Sequence, residues 1–139
     1  MKYQFRVVGD FPPKKDGSQS MWGKRSELNR LIKLRQAAYE AFRGAAPLQE
    51  NIQMILRVYV SKNDRLTGDL DNFITGVCDG PMAADDRSNI GSWSDPNLNH
   101  IHPNKPLAIK DDCHVVSISA EKITSGDAQP WYEVILEGE

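Results

Sequence analysis

Ile52-Gln53-Met54-Ile55-Leu56-Arg57-Val58-Tyr59-Val60 alternates along its whole length. Ile52, Met54, Leu56, Val58 and Val60 share one side, and Gln53, Ile55, Arg57 and Tyr59 the other. Side chains of a strand point alternately to opposite faces, so this spacing predicts a strand with one face in a core. A strand needs partners, and the flanking sequence offers three. Tyr3 to Val8 alternates in the same way. Val115 to Lys122 and Trp131 to Glu137 read as two more strands, joined through Thr124-Ser125-Gly126-Asp127, which predicts a closing hairpin with a longish loop.

Between the first two strands, Leu28, Leu31, Ile32, Ala38 and Phe42 recur at helical spacing. Ser26 is a good N-cap, Glu27 falls in the first turn, and Gly44 supplies a stop. Arg25, Arg30, Lys33, Arg35 and Arg43 decorate this helix. Before it, Phe11-Pro12-Pro13-Lys14-Lys15-Asp16-Gly17 rules out a continuing central strand. After the alternating strand, Asn72 to Cys78 predicts a short helix that packs Phe73, Ile74 and Val77 and ends at Asp79-Gly80-Pro81. Asp85 to Pro106 is a long polar loop, and loops of that length are usually functional or disordered. The expected architecture is α/β of the α+β kind: a small mixed sheet of about four strands with one long basic helix and one short helix. A single domain over 1–139 is expected, with a loop insertion at about 80–110.

Composition is that of an ordinary globular chain, 40% hydrophobic and 26% charged. No run approaches the roughly 20 apolar residues of a membrane span. Met1 to Arg6 lacks the apolar stretch of a signal peptide, so a cytoplasmic location is expected. Two cysteines, Cys78 and Cys113, make no disulfide framework and read as small buried hydrophobes. The net charge of -2 conceals an asymmetry. Residues 1–43 hold ten Lys/Arg against four Asp/Glu, and the remainder seven against fifteen. One part can face phosphate while the other holds a cation.

The acidic part concentrates its chemistry in Gly68-Asp69-Leu70-Asp71-Asn72-Phe73 and in Lys110-Asp111-Asp112. In an extended segment Asp69 and Asp71 share a side; at a helix start they cluster in its first turn. Asp111-Asp112, just before a strand, can bring a third carboxylate. Hard oxygen ligands of this kind suit Mg²⁺ or Mn²⁺. The same residues also serve as helix caps and turns.

Gly68 to Phe73, then Asp79, then Lys110-Asp111-Asp112-Cys113-His114-Val115-Val116, resembles the RusA family of Holliday junction resolvases. Members of that family carry Asp-x-Asp-Asn at a helix start, an aspartate near the helix end, and an Asp-Asp pair before a strand. The resemblance extends to element order and implies a homodimeric mixed fold. It implies an endodeoxyribonuclease that resolves four-way DNA junctions by paired symmetric nicks, in recombination and repair. Asp69, Asp71 and Asp112 match the family's essential acids, which would hold Mg²⁺ or Mn²⁺. The family's functional lysine, one turn after the second motif aspartate, is Thr75 here. Lys110, Lys105 or Lys62 can stand in, and Lys110 is the first choice for the catalytic set. Branched DNA would lie against Lys14, Lys15, Lys24, Arg25, Arg30, Lys33, Lys62 and Arg65. The lost lysine also admits an alternative, a non-catalytic or weakly active branched-DNA-binding module of the same fold. A nucleotide-sugar transferase using Asp-Leu-Asp would need a larger βαβ domain, which the chain lacks.

Two further features have plainer readings. His100-Ile101-His102 with Cys113 or Cys78 fits no common zinc spacing. Trp93 reads as an anchor of the long loop rather than a platform for an unpaired base.

Overall fold

The computed structural model describes residues 1–14, 25–61, 70–81, 93, 95–110, 112–126 and 129–139, with the backbone alone at Arg25, Asp71, Asn72, Asp79, Asp112 and Ser125. Strand β1 (Lys2–Val8) leads to helix α1 (Arg25–Phe42) and strand β2 (Ile52–Ser61). Helix α2 (Leu70–Asp79) follows, then two 3-10 turns at Pro96–Ile101 and Asp112–His114, and strands β3 (Val115–Ser125) and β4 (Trp131–Glu137). The fold is mixed α+β, with one four-stranded mixed sheet in the order β1-β4-β2-β3.

β1 and β2 both run antiparallel to β4, and β3 runs parallel to β2. The expected closing hairpin is therefore not formed: β3 and β4 lie on opposite sides of β2. Burial explains the order. β4 hides Tyr132, Val134 and Leu136 on one face and Glu133 on the other, as an inner strand must. β3 leaves Val116 63% and Ile118 45% exposed, which only an edge position tolerates. The parallel pairing follows from the path through α2, since parallel neighbours need a crossover and not a tight turn.

All the described helices lie on one face of the sheet. Phe5 and Val7, Ile52 to Val58 at alternate positions, and Tyr132, Val134 and Leu136 meet Leu34, Ala38 and Phe42 of α1 and Phe73 and Val77 of α2. Each large apolar side chain buried this way contributes about 2 kcal/mol. α1 ends where Gly44 takes φ +80, a left-handed conformation that a glycine adopts without strain. Ser26 lies one residue inside α1 and is not its cap. Gly76 of α2 sits directly against the Pro13 carbonyl, where even one added methyl group would collide.

A smaller cluster of Leu31, Trp93 and Ile101 fastens the long loop to α1, so Trp93 is an anchor. Cys78 is buried as expected, but Cys113 is exposed, because it falls in the 3-10 turn before β3. The other face of the sheet carries Arg6, Glu133, Arg57 and Glu121 in one cross-strand row of alternating charge. Arg57 meets Glu133 at 3.0 Å and Glu121 at 3.2 Å. Beside this row Tyr59 and Trp131 stack at 3.8 Å, with the Arg6 guanidinium 5.0 Å from the Trp131 ring.

Candidate metal centre and nucleic-acid interface

The acidic motif straddles the start of α2. Asp69 lies outside the described residues, and Asp71 is the second residue of the helix. α2 forms because Phe73, Ile74 and Val77 recur at helical spacing, and their packing onto the sheet fixes the helix in place. Asp112 opens the 3-10 turn that feeds β3, whose first residue, Val115, pairs with Ile52 at the start of β2. α2 packs against β3, so the two segments that carry the motif belong to neighbouring elements. The side chains of Asp71 and Asp112, and all of Asp111, lie outside the described residues. Among the described side chains no group of three His, Cys, Asp or Glu could hold a metal ion.

Lys110 is exposed two residues ahead of Asp112, and its backbone N–H donates to the Leu48 carbonyl at 3.2 Å. Together with a bridge between Leu48 and Ile109, this bond fixes the approach to β3. Thr75 is exposed on α2.

The expected DNA-facing set divides into three groups. Lys15, Lys24, Lys62 and Arg65, and the side chain of Arg25, lie outside the described residues. Lys14 follows β1, and its backbone N–H donates to Glu27 at 3.1 Å. Arg30 and Lys33 are not independent charges. Both pair with Asp10, at 3.2 and 3.1 Å, and Arg30 also reaches Glu27 at 3.4 Å and the Phe11 ring. One carboxylate thus neutralises much of the positive face of α1 near its start. Burial raises the Glu27 carboxyl above its ordinary pKa of 4.5, while Arg30 and the Lys14 N–H oppose the rise.

Arg35 does not decorate the helix surface. It is fully buried, and its guanidinium donates to the carbonyls of Gly80, Ile101, His102 and Lys105. Burial pulls its pKa down to about 9, which leaves it charged at neutral pH. One signal in the sequence marks this position: Leu31, Arg35, Ala38 and Phe42 form an unbroken apolar stripe apart from the arginine. Asp10 had no comparable signal, because its partners lie 20 and 23 residues away.

His100 and His102 have separate partners. His100 Nε2 lies 2.7 Å from Gln36 Oε1, and His102 Nδ1 accepts from the Asn104 N–H at 3.2 Å. No protein-family model matches the chain, and no curated protein matches it. No described helix is long and apolar enough to cross a membrane.

Proposed function

We propose that the chain is a Mg²⁺- or Mn²⁺-dependent endodeoxyribonuclease of RusA type, acting as a homodimer on four-way DNA junctions. The observation that carries this reading is the acidic motif itself. Asp71-Asn72 of Asp-x-Asp-Asn lie in the first turn of α2, and Asp112 of Asp-Asp opens the turn that leads into β3, against which α2 packs. Three carboxylates are a donor set of the right hardness for Mg²⁺ and poor for softer metals.

Asp69, Asp71 and Asp112 would hold the cation. When bound, a divalent ion polarises a phosphate oxygen and acidifies a water. The remaining work falls to the chain. Lys110, exposed beside the Asp112 turn, would offset negative charge that builds on the phosphate during attack. Lys14 and the first half of α1 would hold the DNA backbone, and contacts of that kind weaken as salt rises. Two opposed cuts on a two-fold junction call for a two-fold dimer.

The Thr75 position favours a second reading, a branched-DNA-binding module that has lost cutting. A cleavage assay on junction, flap and duplex DNA with Mg²⁺ or Mn²⁺ separates the two. The nuclease reading expects junction cutting that Asp71→Asn abolishes while binding persists. Junction binding without cutting by the unaltered protein selects the module. Neither binding nor cutting overturns both.

A further inference from the structure

Most described basic side chains near the start of α1 and on the open sheet face have a carboxylate against them. Arg43 and Lys105 do not: among the described residues neither has an ion-pair partner. Both line the same cleft, of about 410 Å³, between the end of α1 and the long loop. Its other walls are apolar and aromatic. Phe42 and Leu107 contribute to the lining, and Tyr39 and His100 stand against each other with ring centroids 4.9 Å apart at 68°.

Three features make this a formed site. Tyr39 is 40% exposed, so one side of its ring is open to a ligand. His100 is held by Gln36 at 2.7 Å, so that wall is fixed. The loop that brings Lys105 is itself pinned to α1 by Arg35, through the Ile101, His102 and Lys105 carbonyls. The helix end nearby would ordinarily repel an anion through its carbonyls. Here the Tyr39 carbonyl accepts from the Arg43 N–H at 2.9 Å and the Phe42 carbonyl from Ala45 at 2.7 Å, which spends part of that negative end.

We propose that this cleft binds one nucleotide, free or at the end of a strand, with its phosphate on Arg43 and Lys105 and its base against Tyr39. The cleft falls in the size range of small-ligand sites. Two cations without a carboxylate against them fit a phosphate, and an exposed ring offers a base a stacking surface. Of the residues named for cutting or for holding the junction, the site uses only Lys105, an alternative to Lys110 as replacement for the family lysine.

The test is an NMR titration of the ¹⁵N-labelled full chain, without divalent metal, with thymidine 5′-monophosphate, thymidine and inorganic phosphate in turn. The monophosphate should give saturable shifts centred on residues 39, 43–45, 100 and 105–107. Phosphate should bind more weakly, and thymidine more weakly still. Arg43→Gln and Lys105→Gln should each weaken the monophosphate about tenfold, the scale of one charge-assisted hydrogen bond. Tyr39→Leu should weaken the monophosphate but leave phosphate unchanged. Asp71→Asn should bind the monophosphate as the parent does, so failure here and failure of cutting are separate results. Monophosphate binding no tighter than phosphate overturns the nucleotide assignment. No saturable shift at the cleft, or unaltered affinity in a folded Arg43→Gln protein, overturns the site.

Discussion

The Arg35 guanidinium donates to the Gly80 carbonyl at 2.7 Å, which joins the middle of α1 to the end of α2. The same group holds three carbonyls of the long loop. Arg35→Met would keep the bulk and take this donor from the Gly80, Ile101 and Lys105 carbonyls, while the His102 carbonyl keeps the Lys105 N–H. Each buried unsatisfied group costs about 1–3 kcal/mol, so a loss of at least about 3 kcal/mol is expected. Arg35→Lys should recover only a small part, because an ammonium lacks the planar fork that reaches several carbonyls. Urea unfolding of the three proteins checks this, and equal midpoints would refute it.

The Tyr132 hydroxyl is fully buried and has no hydrogen-bond partner among the described residues. Burial raises its pKa, so it stays neutral. Removing a buried polar group that has no partner relieves a desolvation cost. Tyr132→Phe is therefore expected to be neutral or to stabilise by about 1 kcal/mol. A clear loss of stability in thermal unfolding would show that the hydroxyl is satisfied in the folded protein.

Glu27 gives the fold a pH dependence of definite sign. Above its ordinary pKa of 4.5 the unfolded chain has lost this proton, while the folded chain, whose carboxyl is raised by burial, still holds it. Folding then takes up a proton, and stability falls as pH rises through that window. Glu27→Gln removes this contribution. Denaturant midpoints measured from pH 4.5 towards neutrality should fall less steeply in the variant. Parallel curves would remove Glu27 as the cause.

Asp10 sets how much of α1 is available to a polyanion. Asp10→Asn leaves Arg30 and Lys33 without their shared counter-charge. If the first half of α1 meets the DNA backbone, junction affinity at low salt should rise. The slope of log affinity against log salt should steepen by about one to two, roughly one unit for each further phosphate neutralised. An unchanged slope places the DNA elsewhere.

The sequence was most legible where the physics is local. The alternation from Ile52 to Val60 specifies a strand and its inner face, because a slip of one residue would turn every apolar side chain outward. The spacing of Phe73, Ile74 and Val77 specifies a short helix in the same way. Strand neighbours were not legible from alternation alone, since pairing depends on the burial of both faces. Trp131 to Leu136 is denser in apolar residues than Val115 to Ala120, and that difference marks the inner and the edge strand. Arg35 was misread because charge suggests a surface, although its place in the apolar stripe points inward. The acidic motif is legible as a set of oxygen donors along the chain, and its carboxylate side chains lie outside the described residues. Whether its carboxylates meet depends on tertiary packing, and spacing along the chain does not encode that.

The contact between Gly76 and Pro13 leaves no slack between α2 and the segment after β1. A larger side chain at position 76 would have to displace Pro13, and with it Lys14, whose N–H donates to the Glu27 carboxylate. Glycine at this position lets the helix and the segment after β1 approach to backbone contact, so residue 76 has no room to vary.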